Sequence, residues 1–221
     1  MSMLRKMGGH ISAFYRKNRK SMSAFDPIWY KNPVITYGLA IAPIVVVGNS
    51  LINAVTLSVV MLFLVLPTFL ISGLVKKRFK FIGRIALYVL ITATIMAPIL
   101  QIIHHSFPDI YDNMGVYLPL MVVNTLLLSK CRETAGNEKL GESFLDALAS
   151  IVGFAIVICL VGAVRELLGS GTLWGLPIMT GLKIPAILLP FSGFLLIGML
   201  AALRKWMVAR LANMEKGGDE Q

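Results

Sequence analysis

Residues 51–75 have the sequence LINAVTLSVVMLFLVLPTFLISGLV, which contains no charged side chain over 25 consecutive positions. The hydrocarbon core of a bilayer is about 30 Å thick, and a helix that crosses it needs about 20 predominantly apolar residues. No water satisfies backbone groups there, so a helix, which bonds its own N–H and C=O groups, is the expected structure. This stretch predicts a transmembrane helix and places the chain among membrane proteins.

The rest of the chain has the same character. Hydrophobic residues make up 57% of the 221 positions and charged residues only 14%, against about 25% charged in an ordinary soluble domain. Five further apolar runs accompany the first, at residues 34–47, 85–103, 115–129, 147–168 and 184–203. The predicted fold class is therefore an all-α integral membrane protein with six transmembrane helices.

The distribution of charge orients these helices. The net charge is +10, and 19 of the 21 Lys and Arg residues lie in residues 1–32, 76–84, 130–142 and 204–216. These basic segments alternate along the chain, and short basic loops stay on the cytoplasmic side of a membrane. We therefore expect both termini in the cytoplasm, with a basic arm at 1–32 and a tail at 206–221. Because the basic residues flank membrane segments, they predict topology and not nucleic-acid binding.

The lengths of the six runs follow the order short, long, long, short, long, long. A second three-helix unit after the first must enter the membrane the opposite way up, and short or interrupted segments are typical of such inverted repeats. Gly38 and Pro43 interrupt the first short run. We expect two inverted repeats, residues 33–104 and 115–205, with half-helices at positions one and four. Short helices also arise without a repeat, so the pattern alone leaves both interpretations open.

Polar residues within the apolar runs are candidates for function, although phosphate-loop, dinucleotide, HExxH and GxSxG motifs are absent from the sequence. Asn124 needs a hydrogen-bonding partner in a membrane and should face the protein interior. Asp146 lies near the start of the fifth helix, where a carboxylate complements the helix dipole. Proton or cation handling is the alternative for Asp146.

A second group of candidates ends the fifth helix. Arg165 and Glu166 lie in its last turns, where Arg165 is favourably placed for the helix dipole. Gly169 or Gly171 can adopt the left-handed conformation that ends a helix. The structural interpretation of Arg165 is the default, and a functional role of Arg165 and Glu166 is the alternative.

These residues also begin a family resemblance. Residues 165–175, RELLGSGTLWG, closely resemble the RELxGSGxLxG signature of the six-helix membrane subunits of Rnf and Nqr, the ion-motive ferredoxin:NAD and NADH:quinone oxidoreductases. Further matches follow the family's order, at residues 32–34 (NPV), 116–124 (VYLPLMVVN), 144–146 (FLD) and 196–198 (LIG). The resemblance covers about residues 32–205 and is closest to the RnfE/NqrD-like members, whose N-terminus is cytoplasmic.

The resemblance implies both a partner and a cofactor. In the family, two such subunits pair in opposite orientations, and each contributes two cysteines to one intramembrane [2Fe–2S] cluster. The corresponding positions here are Ala42 and Thr125, and neither supplies a thiolate. We therefore expect no cofactor or metal in this chain and no family cluster. Cys131 is an alternative, shifted ligand, and Cys159 is expected to be a small buried hydrophobic residue.

The function implied by the resemblance is that of a membrane subunit of an Rnf/Nqr-like electron-transport complex in the cytoplasmic (inner) membrane of a prokaryote. The chain would be non-catalytic alone, a scaffold for transmembrane electron transfer with or without coupled ion translocation. Expected partners are a homologous six-helix subunit in the opposite orientation, flavin or iron–sulfur redox subunits, and membrane lipid. The alternatives are a transporter or channel-like module without redox chemistry, or a structural anchor for peripheral redox subunits.

Overall fold

The computed structural model describes residues 28, 31–74, 81–136, 140–179 and 183–219. Its α-helices are α1 (Pro33–Tyr37), α2 (Ile41–Val46), α3 (Leu51–Leu74), α4 (Phe81–Ser106), α5 (Pro108–Met114), α6 (Thr125–Gly136), α7 (Leu140–Gly169) and α8 (Pro190–Asp219). Three short 3₁₀ helices lie between them, at Gly115–Tyr117, Pro119–Val123 and Pro185–Leu188. A two-residue hairpin, β1 (Thr172–Leu173) with β2 (Leu176–Pro177), is the sheet structure of the described residues. The predicted all-α class is confirmed.

Long apolar helices dominate this architecture. Within the described residues, four helices are long and apolar enough to cross a membrane, at Leu51–Ile71, Ile85–Ser106, Ser143–Gly169 and Pro190–Arg210. A fifth candidate is a pair of segments, Pro108–Tyr117 and Pro119–Glu133, that meet at an angle of 45°. These helices confirm an integral membrane protein, whereas the exact arrangement of six spans in two inverted repeats stays a prediction.

The first short run is broken where its glycine predicts. Asn32 caps α1 and Pro33 is its first residue, a position where the missing N–H of proline costs nothing. Gly38 ends α1 in the left-handed conformation, with φ of 68°. Ala40, with φ of 57°, also has a left-handed backbone, and α2 follows it at a new angle. Residues 34–47 are therefore two short helices and not one span.

The core forms where α3 and α7 pack against each other. Within their spans, 44% of α3 and 56% of α7 is buried, against 17% for both α4 and α8. Gly162 of α7 permits a close approach, since a Cβ atom there would lie 2.9 Å from the carbonyl oxygen of Ser50. The helices α4 and α8 are consequently peripheral and keep large apolar faces exposed.

Two predicted segments fall partly outside the described residues. The N-terminal arm, residues 1–32, is described only at Ile28, Lys31 and Asn32, and positions 75–80 of the second basic segment are also outside. At the other end, α8 continues without interruption to Asp219. The predicted boundary of the membrane domain at residue 205 therefore does not coincide with a helix end.

Candidate functional site at the broken helices

The breaks in the two short segments lie against each other. The backbone N–H of Ala40, between α1 and α2, donates a hydrogen bond of 2.9 Å to Oγ1 of Thr125, the first residue of α6. A backbone N–H at a break lacks an intrahelical acceptor and needs a partner elsewhere. The Thr125 hydroxyl supplies it and thereby joins segments that are 85 residues apart in the sequence.

Asn124 holds the second break in place. Its backbone is extended, with ψ of 132°, and its Oδ1 atom accepts a hydrogen bond of 2.9 Å from the N–H of Leu126. Its Nδ2 atom lies 3.5 Å from the sulfur of Met121. The residue is buried, as predicted for an amide in a membrane. It is, however, not inside a helix: it caps the start of α6, which is the position where asparagine is most favourable.

Asn32 caps the start of α1 in the first short segment in the same way. Its Oδ1 atom accepts hydrogen bonds from the N–H groups of Val34 and Ile35, and its Nδ2 atom donates to the carbonyl oxygen of Gly153, 2.9 Å away in α7. The residue is fully buried. The signal for this cap is visible in the sequence, since an asparagine followed by proline is a recognisable helix start.

The two positions that correspond to family cluster ligands lie together at these breaks. Ala42 is the second residue of α2, two positions after Ala40, and Thr125 accepts the Ala40 hydrogen bond. Both residues are exposed at the surface of the chain. Ala42 has no donor atom for a metal, and the Thr125 hydroxyl already has a backbone partner. These residues therefore do not fit an iron–sulfur cluster, which requires thiolate or comparably strong donors.

Arg165 binds the carbonyl ends of two neighbouring helices. Its side chain is fully buried, and Nη1 donates to the carbonyl oxygens of Val45 and Gly48 at 2.8 and 2.9 Å. Nη2 donates to Leu188 at 2.6 Å and Nε to Ile187 at 3.2 Å. Carbonyl groups at helix C-termini carry partial negative charge, which a guanidinium offsets. The prediction that Arg165 interacts with a helix dipole is correct, but the helix is a different one. Arg165 binds the C-terminal carbonyl groups of α2 and of the 3₁₀ helix Pro185–Leu188, and its own helix α7 continues to Gly169.

Glu166 binds the opposite kind of helix end. Its Oε2 atom accepts a hydrogen bond of 2.7 Å from the N–H of Leu51, the first residue of α3. Its Oε1 atom accepts from the N–H of Gly175 at 2.8 Å and from Oγ1 of Thr172 at 3.1 Å. A carboxylate at a helix N-terminus satisfies free N–H groups and complements their partial positive charge.

Together, Arg165 and Glu166 form what we call the Arg–Glu clamp. Arg165 donates hydrogen bonds to the carbonyl groups where α2 ends, and Glu166 accepts a hydrogen bond from the N–H group where α3 begins. Two adjacent residues of α7 thus hold both sides of the loop at 47–50. The clamp positions the first broken segment relative to the core helices.

The glycine-rich end of the family signature forms a tight hairpin. Gly171, with φ of 74°, has the predicted left-handed conformation two residues after α7 ends, whereas Gly169 does not adopt it. Trp174 and Gly175, at φ of 57° and 74°, form the two-residue turn between β1 and β2. Positive φ at both central residues is typical of a type I′ turn. This turn presents the Gly175 N–H group to Glu166.

Asp146 lies away from the breaks and is occupied by an ion pair. Its Oδ2 atom is 2.6 Å from Nζ of Lys130 in α6, which is also 2.8 Å from Oε2 of Glu133. The Lys130 side chain is 11% exposed and that of Asp146 is 37% exposed. The geometry gives Asp146 a structural role, since the pair joins α6 to α7.

The two cysteines are separate from each other and from the breaks. Cys131 is fully buried in α6, six residues after Thr125 and therefore about 9 Å further along the helix. Cys159 is partly buried in the middle of α7, where its thiol contacts Ser58. Within the described residues, three or more His, Cys, Asp or Glu side chains do not gather into a group that could hold a metal ion.

Comparison with known proteins places this geometry in a family. A family model described as "Rnf-Nqr subunit, membrane protein" matches residues 21–201. The chain is 28% identical to the E subunit of the proton-translocating ferredoxin:NAD(+) oxidoreductase complex of Clostridium ljungdahlii, over 79% of this chain and 83% of that protein. It is 31% identical to the E subunit of the ion-translocating oxidoreductase complex of Haemophilus ducreyi, over 71% and 69%. The E subunit of the Na(+)-translocating ferredoxin:NAD(+) oxidoreductase complex of Acetobacterium woodii is 25% identical over 80% and 91%.

Proposed function

Because the chain belongs to the Rnf-Nqr family of membrane subunits, we propose that it is the E-type subunit of an ion-translocating oxidoreductase complex. The observation that carries this proposal is the match over residues 21–201, which includes α1 to α7, the first part of α8, both breaks and the Arg–Glu clamp. The chain acts as a membrane scaffold in electron transfer between ferredoxin and NAD. It needs the redox subunits of the complex for activity.

The geometry supports a positioning role. Asn32, Asn124 and Thr125 satisfy the backbone at the two breaks, and the Arg–Glu clamp fastens the first broken segment to α7. Buried polar networks that are fully bonded hold one arrangement of the chain. The broken helices are therefore presented to the rest of the complex at a fixed distance from the core.

The partner at this face is a homologous six-helix subunit in the opposite orientation. Large apolar side chains of the two short segments are exposed, among them Tyr37, Val116 and Leu120, whose residues are 62%, 67% and 52% exposed. Backbone that departs from a helix inside a membrane must be covered by protein or line a cavity. A second subunit whose own short helices meet these would cover both sets of breaks at once.

We further propose that the family's [2Fe–2S] cluster is absent from this face. A cluster shared by two subunits needs four strong ligands. This chain offers the methyl group of Ala42 and the hydroxyl group of Thr125, and that hydroxyl accepts a backbone hydrogen bond. Thiolate is the soft donor that iron–sulfur clusters select, and a threonine hydroxyl is a poor substitute.

The cofactor proposal is tested by iron analysis and EPR spectroscopy of the reduced complex. Cys131→Ser and Cys159→Ser should leave both the iron content and the spectrum of the complex unchanged. The competing hypothesis makes Cys131 a shifted ligand. A [2Fe–2S] signal that disappears in Cys131→Ser, but not in Cys159→Ser, would establish that hypothesis instead.

The functional proposal is tested by isolating the complex. An affinity tag on this chain should co-purify flavin- or iron–sulfur-bearing subunits in mild detergent, and deletion of the chain should abolish ferredoxin-dependent NAD reduction in membrane vesicles. Reintroduction of the wild-type gene is the control. A tagged chain that purifies without redox subunits and conducts ions in liposomes would support the transporter alternative.

A further inference from the structure

A groove runs between α7 and α8 on the surface of the chain. Its volume is about 690 Å³, and its walls are apolar, with Leu160 and Val164 on α7 and Met199, Leu203 and Trp206 on α8. Only 17% of the α8 span is buried inside the chain. The groove therefore lies on the exposed surface of the chain, between α7 and α8.

The groove leads to a cation at its end. Met199, Leu203, Trp206 and Arg210 follow one another at intervals of four, three and four residues, so they form one stripe along α8. The Arg210 guanidinium carbon lies 4.7 Å from the centre of the Trp206 ring, an arrangement typical of a cation–π contact. The indole thus stands between the apolar groove and the guanidinium.

The charged side chains close in sequence to this end of the groove are all basic. Arg204 and Lys205 precede Arg210 by one to two turns, and residues 190–214 contain no Asp or Glu. Lys205 and Arg210 are exposed. Guanidinium groups bind phosphate through paired hydrogen bonds, and basic side chains near a membrane surface attract anionic lipid. An apolar groove with a cationic end thus has the polarity of a phospholipid: an acyl chain and an anionic headgroup.

We propose that the α7–α8 groove is a binding site for an anionic phospholipid of the leaflet that meets the C-terminal part of α8. One acyl chain lies along Met199 and Leu203 against α7. The Trp206 ring lies at the level of the glycerol backbone, where amphipathic aromatic side chains are favoured. The phosphate is bound by Arg210, which lies at the Trp206 end of the stripe. This site is independent of the proposed electron-transfer function.

A transmembrane helix of a partner fits the groove less well than a lipid. A partner helix at the cationic end would have to supply acids, since cations covered by protein are costly unless they are paired. A phosphate headgroup meets this requirement directly.

The first test uses the purified complex that carries a tag on this chain. After the complex is reconstituted in phosphatidylcholine nanodiscs with a trace of photoactivatable phosphatidylglycerol, crosslinked peptides are mapped by mass spectrometry. Crosslinks should fall on residues 196–206, and photoactivatable phosphatidylcholine with the same acyl chains should label them about fivefold less. Equal labelling by the two lipids would overturn headgroup recognition. The absence of lipid adducts from residues 196–206, with adducts elsewhere on the complex, would overturn the proposal.

Variants separate the two parts of the site. Arg210→Gln should reduce labelling by phosphatidylglycerol about fivefold and leave labelling by phosphatidylcholine unchanged. Lys183→Gln, which removes one charge from an exposed lysine near the opposite end of α8, is the matched control and should change neither. Ala202→Phe, inside the groove, should reduce labelling by both lipids, whereas Ala209→Phe, an exposed position of α8 outside the groove, should not. An Arg210→Gln complex that keeps its preference for phosphatidylglycerol would contradict the proposal.

Discussion

Arg165 illustrates how a single side chain can connect parts of a membrane protein that are remote in sequence. Its guanidinium group is buried beside carbonyl oxygens of α2 and of the 3₁₀ helix Pro185–Leu188. Five fixed N–H donors allow one arginine to serve several acceptors, which the compact ammonium group of lysine cannot do in the same geometry. Glu166, the next residue, binds the N-terminus of α3. Adjacent residues therefore stabilise helix ends of opposite polarity.

Removal of the guanidinium should destabilise the chain. Arg165→Met keeps the length of the side chain but leaves carbonyl groups of Val45, Gly48 and Leu188 without donors. Each buried carbonyl group left unsatisfied costs about 1–3 kcal/mol, which lowers the melting temperature of a domain this size by roughly 2–9 °C for each such group. The melting temperature is measured by thermal unfolding in mild detergent, followed by size-exclusion chromatography. Arg132→Met, at an exposed position of α6, is the control. Equal melting temperatures for the two variants would show that Arg165 is dispensable.

At the scale of the element, each short segment contains a helix that is capped by its own asparagine, and one hydrogen bond, here called the junction, connects the two segments. Asn32 caps α1 and Asn124 caps α6, so an asparagine begins a helix in each segment. The Ala40–Thr125 hydrogen bond then connects the segments directly. A break in a helix exposes N–H groups, and these are satisfied by one side chain from the other segment. The two interrupted elements are consequently one structural unit.

The junction should weaken when its acceptor is removed. Thr125→Val preserves the shape of the side chain but leaves the N–H of Ala40 without its hydroxyl partner. An unsatisfied backbone group costs about 1–3 kcal/mol, so the melting temperature should fall by roughly 2–9 °C. Thr125→Ser keeps the hydroxyl group, so its melting temperature should fall much less. Thr94→Val is the matched control, because that exposed hydroxyl bonds only within its own helix, to Leu90. A Thr125→Val protein as stable as the Thr94→Val protein would show that the Ala40–Thr125 hydrogen bond does not stabilise the chain.

At the scale of the whole molecule, the charge pattern predicts a topology, and the helices supply four or five candidate spans among the described residues. Nineteen of the 21 Lys and Arg residues lie in the four alternate segments, and the helices between those segments are long enough to cross a membrane or are bent. The bent pair Pro108–Tyr117 and Pro119–Glu133 is a fifth candidate span among the described residues. We expect two inverted repeats with both termini in the cytoplasm.

Reporter fusions test this topology. Fusions at Gly8, Lys77, Gly136 and Gly217 should report the cytoplasm, and a fusion at Asp109 should report the opposite side, because basic loops resist translocation. A pair of reporters, active on opposite sides of the membrane, provides the internal control at every position. A cytoplasmic signal at Asp109 would eliminate the six-crossing arrangement.

The sequence by itself determined the membrane class, the long helices and the break after Gly38 in the first short segment, but not the break at Asn124 in the second. These depend on local quantities, namely the length of apolar runs, the positions of glycine and proline, and the residues that cap helices. The Asn124 prediction succeeded for the same reason, since a buried amide must find a partner. The bound partner itself, the N–H of Leu126, lies only two residues away.

Only the tertiary structure decided which distant groups meet. The sequence predicts that Arg165 stabilises the end of its own helix, whereas its partners lie about 120 residues earlier and about 20 residues later. The sequence also assigns Asp146 to the helix dipole, and the structure pairs it with Lys130. Helix ends expose identical backbone groups everywhere, so the sequence shows that a cap is needed but not which side chain reaches it. That choice follows from packing, where Gly162 brings α7 close enough to α3 for the Arg–Glu clamp to reach the loop between α2 and α3.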